Sequence, residues 1–167
     1  QSPARIAELA GIKLPEGKTF FVVEETGIGE GYPFSGEKPS ATLAMYTHKD
    51  FDQAIDMVNR ITSFSGPGHS CGIHTTDRAK ALKLAEAVKV SRVMVNQPQA
   101  LANSGAWTNG MPMSLTLGCG TWGGNSVSEN VTYKHLMNTT WVAWPIPSTE
   151  PKLEELFSKD VLEEKWD

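Results

Sequence analysis

The residues of greatest chemical reach in this sequence are two thiols, Cys71 and Cys119, and two imidazoles near them in the chain, His69 and His135. Cys119 stands inside "LGCGTWGGN", Leu117 to Asn125, where Gly118-x-Gly120-x-x-Gly123 has the spelling of a dinucleotide-binding loop. A cofactor loop of that kind follows the first strand of its domain and opens a helix whose N-terminus takes the pyrophosphate. An acidic residue for the ribose then stands about 20 positions on. Here the segment after the glycines, Asn125 to Val131, lacks a helical apolar face, and the region around position 140 holds Thr and Trp without a carboxylate. The residues therefore argue for glycines that let the backbone turn tightly and approach a ligand or another strand closely. As a thiol site, the loop needs a histidine, a cation or a helix N-terminus to stabilise a thiolate, with access to solvent. A Cys-His pair can be imagined from Cys119 with His69 or His135. The alternative, the usual fate of a free cysteine, is a small residue in a crowded turn at Cys119 and a core-facing thiol at Cys71.

The elements that position these residues follow from periodicity and caps. Ser2-Pro3 reads as an N-cap with proline at the first helical position and Gly11 as a stop, which predicts a helix over Pro3 to Ala10 with Ile6, Leu9 and Ala10 on its apolar face. The run Phe20-Phe21-Val22-Val23 predicts a strand buried on both faces. A glycine- and proline-rich loop follows. Next come strand Ala41 to Tyr46, helix Asp50 to Phe64, strand Ser70 to Thr75, helix Asp77 to Val88 and strand Arg92 to Asn96. Asp50 and Asp77 sit where N-caps belong. Ala54, Ile55, Val58 and Ile61 in the first helix, and Leu82, Leu84, Ala85 and Val88 in the second, supply faces close to a 3.6-residue period. This β-α-β-α-β order predicts an α/β fold with a mostly parallel, doubly wound sheet. Gln97 to Pro112 reads as a surface or site-lining loop, Thr132 to Met137 as a short helix, and "TTWVAWPI" as a strand with Trp141 and Ala143 on one face and Val142 and Trp144 on the other. Pro145, Pro147 and Pro151 make a stiff linker, and the charged tail beyond it is expected to be partly helical.

At 167 residues, 40% apolar and 20% charged, the chain has the composition of a globular domain with one main core. A net charge of −4 without a basic run excludes the electrostatic footprint of a nucleic-acid or anionic-membrane binder. No stretch approaches the roughly 20 apolar residues needed to cross a bilayer. Two cysteines make neither a disulfide framework nor a CxxC metal signature, so no metal is expected and the cytoplasm is the expected compartment. The chain begins with Gln, which raises the prospect of a processed protein or a fragment.

Three segments together resemble a known family. "SLTLGCGTWGGNSVSENVTYKHLMN" at 114 to 138, "GEKPSATLAMY" at 36 to 46 and "GPGHSCGIHTTD" at 66 to 77 are similar to the corresponding segments of CoA-acylating aldehyde dehydrogenases, in the same order and at similar intervals. The likeness runs from about residue 4 to residue 144. It implies that residues 1–138 are part of an aldehyde dehydrogenase catalytic domain, 139–147 an oligomerisation strand lying against a neighbouring subunit of a homo-oligomer, and 148–167 a charged tail. It implies a reaction in which an enzyme cysteine attacks the aldehyde, hydride passes to NAD or NADP, and the thioester is transferred to coenzyme A.

Residue by residue, Glu37 matches the glutamate that hydrogen-bonds the nicotinamide-side ribose hydroxyls. His69 matches an active-site histidine suited to carry a proton when the CoA thiol attacks. Gly118, Cys119 and Gly120 match the glycine-rich turn passing near the substrate pocket. Segment 38–42, Lys-Pro-Ser-Ala-Thr, departs from the family's Lys-Leu-Ser-Pro-Val, while Glu37 stays in place. The family's nucleophilic cysteine and its dinucleotide domain lie upstream of the Glu-Lys segment, so the resemblance makes Cys119 a loop residue and these 167 residues inactive alone. Sulfoacetaldehyde, succinic semialdehyde and acetaldehyde are the candidate substrates. The ending resembles the first two branches more than the bifunctional aldehyde-alcohol enzymes, because no alcohol dehydrogenase domain follows it. An anionic aldehyde would call for a cation, and Arg92 and Lys134 are the candidates nearby. The competing reading is a non-catalytic assembly or binding module that retains the fold.

Overall fold

A computed structural model describes residues 1–163. The chain divides into two units, residues 1–136 and the segment from Met137 onward. In the first, helix α1 (Pro3–Ala10) starts at Ser2, whose hydroxyl accepts the Arg5 N–H at 3.2 Å, and stops at Gly11 in the left-handed conformation. Its buried residue is Ala7, while Leu9 of the expected face is exposed.

Strands β1 (Phe21–Glu24) and β2 (Thr42–Met45) pair in parallel, Phe21 opposite Thr42 and Val22 opposite Leu43. The expectation that β1 is buried on both faces is corrected. Burial alternates along both strands, and Val22 (52% exposed) stands beside Leu43 (57%) on a face open to solvent. An apolar run does not distinguish one covered face from two, because periodicity reports side-chain type and not the layers available.

Helix α2 (Phe51–Phe64), strand β3 (Cys71–Ile73), helix α3 (Arg78–Ala87) and strand β4 (Val93–Val95) follow in the expected order. Asp50 caps α2 through the Gln53 N–H at 2.8 Å, and Asp77 caps α3 through Ala79 and Lys80. Strands β3 and β4 are parallel neighbours, with Cys71 opposite Val93. Among the described residues the ladders form two separate two-stranded sheets, β1-β2 and β3-β4, so the run of parallel strands does not close into one continuous sheet within this chain. The core lies where α2 and α3 meet β3: Ile55, Cys71, Leu84, Val88 and Val90 are buried together, with Phe51, Val58, Ile73 and Val93 against them. Leu82, placed on the inner face of α3 by periodicity, is 53% exposed. Asn59 ties the two helices by donating to the Ala87 carbonyl at 2.9 Å and accepting the Lys89 N–H at 3.1 Å.

The 97–112 segment is more ordered than a loop reading implied. It holds a short helix, α4 (Gln99–Ala102), and turns about Asn109, whose Oδ1 accepts the N–H groups of Ala106 and Met111 while Nδ2 donates to Ala102 O and Gln97 Oε1. Residues Tyr133–Leu136 form a 3-10 turn where a short helix was expected.

In the second unit, "TTWVAWPI" carries no ladder. Trp141 is 88% and Trp144 81% exposed. The expected strand has no assigned secondary structure here, because a strand exists only against a hydrogen-bonding partner and the described residues supply none. Helices α5 (Leu153–Leu156) and α6 (Lys159–Glu163) occupy part of the tail, whose last four residues, 164–167, lie outside the described residues. No described helix is long and apolar enough to cross a membrane.

Candidate active site

The C-terminal end of α2, the chain entering β3, and α4 enclose a cavity of ≈ 660 Å³ lined by Glu37, Thr62, His69, Ser70, Gln99 and Asn103 among others. Glu37 and His69, 32 residues apart, thus face one space. Glu37 is placed by its own backbone: its N–H donates to Ser65 Oγ at 2.9 Å, just past α2. Lys38 Nζ knits the same loop by donating to the carbonyls of Phe34 and Gly36 at 2.6 and 2.7 Å. The Glu37 side chain is exposed, and among the described residues neither carboxylate oxygen has a hydrogen-bond or ion-pair partner. A free carboxylate at a cavity mouth accepts from two hydroxyls at once, so the residue present fits a ribose of NAD or NADP. No cluster of three or more His, Cys, Asp or Glu among the described residues is arranged to hold a metal ion.

His69 is held by Ser70, with Nδ1 2.6 Å from the hydroxyl. Ser70 is buried and also meets Gln99 Nε2 and Asn103 Nδ2, each at 2.9 Å. Nothing in the sequence around Gln99 and Asn103 announced this network, because it joins residues 29 and 33 positions apart.

Cys71 lines the cavity from the core side, and burial pushes its thiol from 9.0 up to about 11. It is a core thiol and a poor nucleophile at neutral pH. The unfolded thiol ionises near its ordinary value while the folded one holds its proton to about 11. The stability this contributes is therefore complete below pH 9 and is lost as the pH climbs toward 11. Denaturation midpoints compared between the wild type and Cys71→Ala from pH 8 to 11 should show this extra decline only in the wild type. Parallel curves would contradict it.

The glycine loop does not line the Glu37–His69 cavity. It packs behind it. Gly68, immediately before His69, has φ of +76°, and a Cβ there would fall on the Cys119 carbonyl oxygen. Gly118 backs equally tightly on Val127, and Gly120 borders a separate cavity of ≈ 480 Å³ with Trp122 and Ser128. Close backbone approach is what these glycines permit. Cys119 is half-buried, its N–H donating to Asn125 Oδ1 at 2.8 Å. Neither His69 nor His135 hydrogen-bonds a thiol among the described residues. The His135 ring accepts the Thr132 N–H at 2.9 Å, so the imagined Cys-His pair is not formed.

Arg92 joins the loop to the site. It is 5% exposed, and its guanidinium donates from Nε to Asn130 Oδ1 (2.9 Å), from Nη1 to the His69 carbonyl (3.1 Å) and from Nη2 to the Gly118 carbonyl (2.6 Å). Asn130, 3% exposed, passes the connection on by donating to Asn103 O and Pro112 O. Burial lowers the Arg92 pKa, partly offset by nearby Cys119. With three of its five N–H donors bonded to neutral acceptors inside the protein, Arg92 is a brace. Lys134, the other cation candidate, is exposed and does not line the cavity.

Residues 40–136 match the model of the aldehyde dehydrogenase family. The chain is 44% identical over 165 residues to a sulfoacetaldehyde dehydrogenase of Acholeplasma sp, covering 99% of this chain and 34% of that protein. It is 42% identical over 158 residues to the acylating sulfoacetaldehyde dehydrogenase of Cupriavidus necator, covering 93% and 32%. The crystal structure of an acetylating aldehyde dehydrogenase from Geobacillus thermoglucosidasius superposes with a TM-score of 0.82 at 38% identity, over 91% of this chain and 33% of that one. The chain spans about a third of the length of these relatives. With more than half its residues matched by the family model, and an α/β arrangement shared with the solved relative, this chain belongs to the aldehyde dehydrogenase family.

Proposed function

We propose that the whole protein oxidises an aldehyde with NAD or NADP and transfers the acyl group to coenzyme A, these residues forming one wall of its active site. The observation that carries the reading is the convergence on one cavity of Glu37 and His69, the two residues to which the sequence resemblance assigns cofactor-binding and active-site roles. The nicotinamide cofactor supplies the hydride acceptor. Glu37 orients its ribose, His69 faces the reacting end, and the cysteine that holds the acyl group comes from outside this sequence. Sulfoacetaldehyde is the leading substrate, succinic semialdehyde and acetaldehyde the alternatives, because two of the relatives above are named for sulfoacetaldehyde. Segment 139–147, without a ladder partner among the described residues and with two exposed tryptophans, adds a strand to a neighbouring subunit.

The test is NAD(P)H formation by the whole protein with each of the three aldehydes, with and without CoA. Strict CoA dependence with one preferred aldehyde is the expected result. Equal rates without CoA would make it a hydrolytic enzyme, and no activity with any aldehyde would favour a non-catalytic assembly module. Glu37→Gln should raise the KM for NAD(P) about tenfold or more, the worth of hydrogen bonds to a charged acceptor. An unchanged KM would remove Glu37 from cofactor binding.

A further inference from the structure

The Ser70 hydroxyl has one hydrogen to give and two lone pairs to receive with. Three groups surround it: Gln99 Nε2 at 2.9 Å, Asn103 Nδ2 at 2.9 Å and His69 Nδ1 at 2.6 Å. The Gln99 amide cannot be reversed, because the same Nε2 also donates to the Ser70 carbonyl at 3.0 Å, and a carbonyl only accepts. Asn103 donates through Nδ2 and leaves its own Oδ1 buried without a partner, so with both amides donating Gln99 and Asn103 fill both lone pairs. A reversed Asn103 amide would take the hydroxyl hydrogen and put the ring hydrogen on Nδ1, the result that the measurement below distinguishes. With both amides donating, the single hydroxyl hydrogen is left for His69 Nδ1, which must accept it. In a neutral imidazole one nitrogen accepts and the other carries the hydrogen, so the ring hydrogen sits on Nε2. Nε2 has no hydrogen-bond partner among the described residues, and the ring lines the cavity.

We propose that Ser70, clamped by Gln99 and Asn103, is a positioning residue that fixes His69 as the Nε2–H tautomer, so that the imidazole offers the cavity a hydrogen-bond donor and not a base. This deepens the proposed function and rests on it for its chemical meaning. A donor at that place stabilises the oxyanion that develops on the acyl oxygen when a thiol adds. It cannot take the proton of the CoA thiol at Nε2, because that nitrogen already holds one. The thiol proton leaves to another group or to water, and the histidine's charge does not change in that step. Sequence resemblance placed a proton carrier here; the hydrogen-bond count assigns a donor instead.

The tautomer is readable without any activity. In the whole protein, labelled with 15N-histidine and with His69 assigned through His69→Gln, ring nitrogen shifts at neutral pH should show an unprotonated Nδ1 and a protonated Nε2. Ser70→Ala should move both shifts toward a mixed population, and Ser70→Thr, which restores a hydroxyl, should return them. In the coupled assay Ser70→Ala should lower kcat while leaving the KM for CoA unchanged. A hydrogen on Nδ1 in the wild type, or ring shifts indifferent to Ser70→Ala, overturns the assignment. Wild-type shifts as expected in a protein without CoA-dependent activity would uphold the tautomer and sink the acylating reading.

Discussion

Arg92→Met should destabilise the fold by about 4 kcal/mol. The replacement fills much of the same volume but leaves two buried acceptors, Asn130 Oδ1 and the Gly118 carbonyl, and the part-buried His69 carbonyl without their donor. Each orphaned buried acceptor costs about 1–3 kcal/mol, and neighbouring losses are not additive. Arg92→Lys keeps the charge but replaces a fixed fork of donors by one ammonium, so about half of the loss should remain. Urea denaturation of the three proteins checks this. A loss below about 1 kcal/mol for the methionine variant would mean that solvent or rearranged backbone satisfies those acceptors and that Arg92 is not the brace described.

Gly68→Ala should cost about 3 kcal/mol and disturb the site without touching a residue that lines it. Two penalties combine. The left-handed φ of +76° costs a residue with a Cβ about 1–2 kcal/mol. The new methyl would also fall on the Cys119 carbonyl oxygen and lie 2.9 Å from the Gly123 nitrogen, so the glycine loop must move. Gly124→Ala isolates the first penalty, because its φ is +70° and nothing lies within 4 Å of the position. That variant should lose only about 1 kcal/mol. Equal losses in the two variants would show that backbone conformation alone matters and that the loop does not press on Gly68.

What the sequence made legible was local. Asp50, Asp77 and Ser2 cap helices because a short acceptor side chain bonds N–H groups two or three residues ahead, and that chemistry is written in neighbouring letters. The α2-β3-α3-β4 order followed from periodicity for the same reason. Burial was less legible: Val22 and Leu43 are strand formers whose shared face lacks a covering layer within the described chain, and composition does not report layers. Periodicity also put Leu82 inward, whereas Leu84 and Val88 supply the contact. The site divides likewise. Glu37 and His69 came from resemblance alone, since a carboxylate in a glycine-rich loop and a histidine before a strand have no pattern of their own. The hydrogen bonds of Ser70 with Gln99 and Asn103, and of Arg92 with His69, Gly118 and Asn130, were invisible because they span 23 to 38 residues. Arg92 was read as a possible anion receptor, whereas in the fold it bonds three neutral protein acceptors and does not line the Glu37–His69 cavity.

The brace also bears on how the protein responds to salt. The ion pairs of lysine and arginine among the described residues, Arg5–Glu8, Arg60–Asp56 and Lys83–Asp52, each involve an exposed carboxylate, and such pairs contribute little even in dilute buffer. The one deeply buried cation among those residues, Arg92, is held by carbonyl and amide dipoles, with no carboxylate among its hydrogen-bond partners for dissolved ions to screen. Ionic strength therefore has little hold on this unit: its electrostatics are carried by permanent dipoles in the interior, out of reach of the solution around it.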